Sequence, residues 1–213
     1  MVRIDKPHMI WLQPRLHSCG SMLSAIIATY ESERTLVPTL AALVPGATAG
    51  LISEVVVADA GSRDATAEVA DIAGCRFISS GAPLGERLKA AALSTRTPWL
   101  LFLRAGTVPE PGWVTAADNF MGAIDSLDGA ARAAVFRPSS AADALRPAWA
   151  ELLAMLRVAL GGGARPEQGL LIARRFYDAL GGHGDVADPE AALLRKIGRR
   201  RLTMLPIGAR VTR

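Results

Sequence analysis

The side chains best suited to chemistry are gathered in one short run, Asp59-Ala60-Gly61-Ser62-Arg63-Asp64-Ala65-Thr66, directly after the apolar segment Val55-Val56-Val57-Ala58. A carboxylate ending such a segment accepts hydrogen bonds from the N–H or O–H groups of a base or a ribose. Gly61 lets the backbone turn without a Cβ clash and bares peptide N–H groups towards a ligand. The competing reading is that Asp59 and Asp64 cap a helix. Other candidates follow apolar runs in the same way. Thr29 and Glu31 close Leu23–Ala28, and Arg104 closes Trp99-Leu100-Leu101-Phe102-Leu103. Arg87 and Lys89 lie on an Ala-rich stretch after Gly85, where they either steer phosphate or form a solvated helix face. Asp188 and Glu190 flank Pro189, placed either to accept a proton or as acids of a helix's first turn.

These residues need elements to hold them. Strands are expected at Leu23–Thr29, Glu54–Asp59, Arg76–Ser79 and Trp99–Leu103. Helices are expected between them. Glu33–Leu43 has Leu36, Val37, Leu40 and Leu43 on one face, and Leu84–Thr95 is Ala-rich. Asp64–Ala73 points Ala65, Val69, Ile72 and Ala73 inward, with Ser62 or Asp64 as N-cap. Strands alternating with helices imply βαβ units, an α/β fold and a mainly parallel sheet. Ligands of such sheets sit beyond the carboxyl ends of the strands, here Thr29–Glu31, Asp59–Asp64, Ser79–Gly85 and Arg104–Thr107. After Pro111 the rhythm changes. Helices are expected at Gly112–Ile124, Leu145–Leu160, Arg174–Leu180 and Pro189–Lys196, with strands at Ala133–Arg137 and Gln168–Ile172. Residues 1–21, which carry Pro7 and Pro14, read as an irregular extension of a single domain spanning 22–213.

The Asp59–Thr66 run resembles the D-G-G-S-x-D-x-T signature of family 2 glycosyltransferases. Ser24–Glu33 resembles that family's first strand and its T-x-N-E turn, and Leu100–Trp113 its L-F-L-D-A-D-T-x-x-x-P-G-W segment. Glu167-Gln168-Gly169 and Leu180-Gly181-Gly182 resemble its D-Q-G and L-G-G steps, and Asp188-Pro189-Glu190 falls where the family has an E-D pair. The resemblance runs in order from about Leu23 to Arg213. It implies a three-layer α/β/α fold of the nucleotide-diphospho-sugar transferase (GT-A) type. In that reading 22–110 is the nucleotide-binding half, and 111–213 is a small acceptor-side half.

The implied ligand is a nucleotide diphosphate sugar, with Thr29, Glu31, Asp59, Gly61, Asp64, Arg87 and Lys89 around the nucleotide. Glu190 is the implied general base and Asp188 the alternative, while Gln168 and Trp149 lie towards the acceptor. The pattern breaks at Arg104-Ala105-Gly106. Family members hold Mg²⁺ or Mn²⁺ there through aspartate, and a hard cation needs anionic oxygens. No metal cofactor is therefore expected. Arg104 either binds the diphosphate in the metal's place, marks a decayed site in an inactive nucleotide-sugar-binding or partner-docking module, or points to solvent.

Composition narrows the partners. Lys and Arg outnumber Asp and Glu by 24 to 20, and Arg195–Arg213 holds seven cations and no acid. Such a tail forms a solvated face or attracts phosphate, an anionic membrane surface or nucleic acid, and the resemblance implies that the apolar stripe of Leu145–Leu160, unless it is simply core, borders an acceptor that is lipid-linked or membrane-embedded. Basic residues without interleaved aromatics or a recognised module argue against nucleic acid. Cys19 and Cys75 give neither a disulfide framework nor a zinc spacing, which fits a reducing cytoplasm, with peripheral attachment at the inner membrane face as the variant.

Overall fold

The computed structural model describes residues 22–127, 131–139 and 164–212. The N-terminal extension and the expected Leu145–Leu160 helix, with Trp149, lie outside them.

Four strands come first: β1 (Leu23–Thr29), β2 (Ile52–Asp59), β3 (Arg76–Ser79) and β4 (Trp99–Arg104). Between them run α1 (Glu33–Thr48), α2 (Thr66–Ile72) and α3 (Leu84–Leu93). Ile26 and Ile27 are both fully buried although adjacent strand residues point to opposite faces. Both faces of the sheet are therefore covered, as the continuous apolar runs of β1, β2 and β4 require. Each such side chain contributes about 1.5–3 kcal/mol on burial. The chain continues through β5 (Thr107–Pro109), α4 (Trp113–Asp125), β6 (Ala133–Ser139), β7 (Leu170–Ala173), α5 (Arg174–Ala179), α6 (Pro189–Ile197) and β8 (Leu202–Val211).

All eight strands form one sheet in the order β3-β2-β1-β4-β7-β6-β8-β5. β3, β2, β1 and β4 are parallel, and β6 is parallel to β8. β4–β7, β6–β7 and β5–β8 are antiparallel. The α/β class thus holds in a mixed sheet whose first four strands are parallel, and every antiparallel pair includes a strand from β5 onward. The chain builds β1, β2 and β3 in one direction and then returns to place β4 on the other side of β1. Ligands of such sheets bind beyond the strand ends at this reversal; here the turn after β4 is tied to β1 and α1, Ala105 N donating to Ala28 O and Gly106 N to Thr35 O, each at 3.0 Å.

Several local expectations need correction. α2 begins at Thr66 with Ala65 at the N-cap position, so Asp64 stands one residue ahead of the expected cap, although its Oδ1 still accepts from Thr66 N at 3.0 Å, and Ser62 is bound to Asp59 instead. Its buried residues are Thr66 and Ala70, Val69 and Ala73 pack against the core as expected, and Ile72 is 78% exposed. α1 runs on past Leu43 with Pro38 and Pro45 inside it, and Val37 lies outward. Gln168 belongs to a short 3₁₀ turn, Pro166–Gln168, ahead of β7. Neither β5 nor the ten-residue β8 was expected from the sequence. Cys75 is partly buried against the core, and burial pushes its thiol pKa up to about 12, which suits a small hydrophobe.

Candidate active site

Strand register makes the first part of the site. Thr29 lies opposite Asp59, and Asp59 opposite Ser79, so three strand ends form a row. The fully buried Asp59 carboxylate gathers the row together. Oδ1 accepts from the Thr29 hydroxyl at 2.9 Å and from the Ser62 hydroxyl. Oδ2 accepts from Gly61 N at 2.7 Å, Ser62 N at 2.8 Å and the Ser79 hydroxyl at 3.1 Å. Burial alone raises a carboxyl pKa, but these donors outweigh it and hold Asp59 below its usual value. Gly61 turns at φ +87°, which lets its N–H point back at Asp59.

The β1–α1 and β2–α2 loops clasp each other through polar groups. Glu31 N donates to the Ser62 hydroxyl at 2.8 Å, and Arg63 N donates to Glu31 Oε1 at 2.9 Å. Ser32 N reaches the Thr66 hydroxyl at 2.9 Å, and Glu33 N reaches Asp64 Oδ2 at 3.0 Å. Glu33 answers by accepting from Ala65 N at 3.2 Å. Glu31 adopts φ +48°, the left-handed region that costs a side-chain-bearing residue energy. The clasp holds it there.

Arg87 and Lys89 part company. Arg87 Nη1 donates to Ala58 O at 2.6 Å and Nε to Ala82 O at 3.1 Å, tying α3 beneath the strand ends and beside Asp59. Burial lowers its pKa, with Asp59 opposing in part. Lys89 is exposed on α3.

The second part of the site is assembled around Arg104, whose strand position pairs with Ala28 of β1. Its Nε donates to Glu190 Oε2 at 2.6 Å, and Nη2 donates to the same oxygen. Nη1 lies 3.5 Å from Glu167 Oε1. Gly85 permits this meeting: a Cβ there would stand 2.1 Å from Gly184 O and 3.1 Å from Pro189, so α3 and the start of α6 approach as only glycine allows. Asp188 caps α6 by accepting from Ala191 N at 3.1 Å. Burial holds Glu190 above the usual carboxylate range despite Arg104. Burial alone lowers the Arg104 pKa, and the hydrogen bonds and charge of Glu190 reverse that.

Gln168, nearby and buried, is occupied by backbone: its Nε2 donates to Phe136 O at 2.7 Å and its Oε1 accepts from Arg165 N at 2.6 Å. His183, unassigned by sequence, is buried with Nδ1 2.9 Å from the Tyr177 hydroxyl. Desolvation lowers its pKa to about 4. Part of the basic tail turns inward onto the protein itself. Arg195, Lys196 and Arg201 donate to Ala191 O, Leu180 O and Ile197 O, and Arg201 stacks over Phe176 with its carbon 5.3 Å from the ring centroid.

The turn after β4 does not fit a divalent cation. Its side chains offer a guanidinium, a methyl and a hydrogen, with no anionic oxygen. Gly106 is also closed in. Its carbonyl accepts from Thr212 N at 2.9 Å, and at φ +92° a Cβ would stand 2.5 Å from Thr212 O. An aspartate cannot replace it without moving the end of β8. Among the described residues, no group of three or more His, Cys, Asp or Glu is placed to hold a metal ion. No helix among them is long and apolar enough to cross a membrane.

The model of the family described as glycosyl transferase family 2 matches residues 24–133, just over half of the chain. No curated protein matches the sequence. Solved structures do. Glucosyl-3-phosphoglycerate synthase from Mycobacterium tuberculosis, in complex with Mn²⁺, uridine diphosphate and glucosyl-3-phosphoglycerate, gives a TM-score of 0.64 at 21% identity, covering 91% of this chain and 73% of that one. The same enzyme with Mn²⁺ and UDP-glucose gives 0.64 at 22% identity, over 91% and 72%. Its complex with phosphoglyceric acid gives the same figures, 0.64, 22%, 91% and 72%. At this identity the likeness is one of fold, the GT-A arrangement of a mixed sheet with flanking helices.

Proposed function

The chain belongs to glycosyl transferase family 2, and on that premise we propose that it binds a nucleotide diphosphate sugar and transfers the sugar to an acceptor hydroxyl without a metal at the turn after β4. The observation that carries this reading is Arg104, a half-exposed guanidinium at the strand end where the family resemblance calls for an acidic metal ligand. A guanidinium binds diphosphate oxygens through two parallel N–H bonds and stabilises the negative charge of a departing diphosphate. The nucleoside lies against the Asp59 row and the Glu31 turn. Asp59 has all its lone pairs engaged, so Thr29, Ser62 or Ser79 yields a bond when a base or ribose enters. The bound donors of the fold neighbours, uridine diphosphate and UDP-glucose, make a uridine donor the first to try.

Glu190 accepts the proton as the acceptor oxygen bonds the anomeric carbon and the bond to diphosphate breaks. Asp188, engaged as a helix cap, is the second candidate. The acceptor approaches from the side of α6 and the Pro166–Gln168 turn. A lipid-linked acceptor at the inner membrane face rests on the basic tail and on the Leu145–Leu160 stripe, which lies outside the described residues. A specific observation favours a second reading, a binding module without transfer: Arg104 and Glu190 occupy each other.

Thermal-shift and calorimetric titrations with uridine diphosphate, UMP and uridine, each in EDTA and in Mn²⁺, test the proposal. Uridine diphosphate at a hundredfold excess over Kd should stabilise the fold by about 2.7 kcal/mol, equally in EDTA. Arg104→Ala should weaken it by roughly 1.5–3 kcal/mol and leave uridine unchanged. If no nucleotide at millimolar concentration shifts melting, the donor-binding reading is wrong.

A further inference from the structure

We propose that Glu190 and the donor's diphosphate compete for the single guanidinium of Arg104, so that Glu190 sets the affinity for the diphosphate and is freed as proton acceptor by its arrival. This rests on the donor-binding reading above. The Nε–Nη2 edge of Arg104, the edge that grips an oxyanion side-on, is filled by Glu190 Oε2, and Nη1 faces Glu167. Arg104 occupies Oε2 and opposes the effect of burial, so the paired Glu190 is a weaker proton acceptor than the same buried carboxylate would be without its cation.

Charge decides whether a diphosphate can simply add. Glu190, Glu167 and Asp188 all act on the one Arg104 cation, so the cluster carries an excess of negative charge. The other titratable or charged neighbours are Arg165 and His183. They line, with Glu190, Phe102 and Leu194, a cavity of about 10 Å³, and burial keeps His183 neutral. An anion entering beside Arg104 meets this surplus unless a carboxylate gives way. Glu167 is nearly half exposed and moves to solvent easily. Glu190 is almost wholly buried, and the cavity beside it, at the lower size limit for a single water, is also lined by the cation Arg165. Once Arg104 turns to the diphosphate, Glu190 is a buried carboxylate beside two other acids, and its affinity for a proton rises. The donor thus creates the base that its own transfer requires. An acceptor arriving first meets a Glu190 still tied to Arg104 and so a weaker base than the one the donor leaves behind.

The test is a calorimetric titration of uridine diphosphate in EDTA into wild type, Glu190→Gln, Glu167→Gln and the double variant Arg104→Ala/Glu190→Gln, with uridine as control. Removing the competitor should tighten uridine diphosphate binding by roughly tenfold in Glu190→Gln, the scale of one charge-assisted contact. Glu167→Gln should tighten it about two- to threefold, as for an exposed pair. The gain should vanish in the double variant, and uridine affinity should stay constant throughout. Unchanged or weaker uridine diphosphate binding in Glu190→Gln overturns the competition while leaving donor binding intact. Should Glu190→Gln fail to fold, Glu167→Gln decides alone, and unchanged affinity there overturns it. If uridine diphosphate binds none of these proteins, the donor-binding reading falls, and this inference with it.

Discussion

The loops that follow β1 and β2 and the turn that follows β4 sit side by side on one sheet, yet they satisfy their charges by opposite means. Asp59 receives only neutral donors: two peptide N–H groups and three hydroxyls. Glu190 receives a cation. Both carboxylates are buried, which raises a carboxyl pKa, but the outcomes diverge. The fixed donors carry Asp59 below its ordinary value, while Glu190 stays above its own. Peptide N–H groups and short hydroxyls fix a shape, and a hydroxyl gives up at most its own bond when a ligand enters. A long cationic side chain at the edge of solvent can exchange one anion for another. The first region is built to be preorganised and the second to be displaced.

The largest effect belongs to the attempt to turn the second region back into a metal site. Gly106→Asp combines a positive φ with a contact of 2.5 Å to Thr212 O, and should cost roughly 3–5 kcal/mol in urea denaturation. A Gly106→Asp protein of normal stability would show that the end of β8 yields, and that the turn is as adaptable as Arg104. Next comes the clasp. Asp59→Asn turns an amide NH₂ towards donors that need an acceptor, and should cost roughly 2–4 kcal/mol at neutral pH. The sign with pH follows from the lowered pKa. Asp59 contributes stability above its ordinary value of 3.8, and that contribution is lost as pH falls through the lowered value. Wild type should lose stability over this acid range, and the variant should be flatter there. Equal acid slopes would mean that the Asp59 donors do not act on its charged form.

The strands of the first region were legible because a strand buried on both faces must be a continuous apolar run. β1 and β3 begin and end where the sequence indicates. The register of α2 was not, because its short sequence offers two apolar faces and packing chose Ala70 over Ile72. β8 hid behind Pro206 and Gly208, which sit where its pairing with β6 skips register, a place where a sheet tolerates proline. In the site, residue types could name Asp59, Glu31 and Arg104 but not their partners. Ser62, Ser79 and Thr66 are ordinary hydroxyls until tertiary structure aims them. Arg104 and Glu190 are 86 residues apart, and nothing local to either announces the other. Glu167 went unread as an ion-pair partner, and His183 as the mate of Tyr177, for the same reason.

The smallest effect discriminates best between a fixed and an exchangeable arrangement. If the Arg104–Glu190 pair exists to be displaced, it should contribute little net stability, because the attraction of its charges is largely consumed in stripping water from a buried carboxylate. Arg104→Met combined with Glu190→Gln removes both charges while keeping most of the volume. Its stability should lie within about 1 kcal/mol of wild type. Glu190→Gln alone leaves Arg104 beside Glu167, a half-exposed pair, and should also be mild. Arg104→Met alone leaves Glu190 beside Asp188 and Glu167 without its hydrogen-bonded cation, and should be the costlier single change by roughly 1–3 kcal/mol. That cost should shrink at acid pH, because the buried carboxyl with its raised pKa is then protonated and needs no partner. A chemical-denaturation cycle over the four proteins, repeated at two pH values, measures all of this. If the double variant instead loses as much as Asp59→Asn, the ion pair is a structural fixture like the clasp. The exchange that would free Glu190 would then have to be driven against the stability of the fold itself.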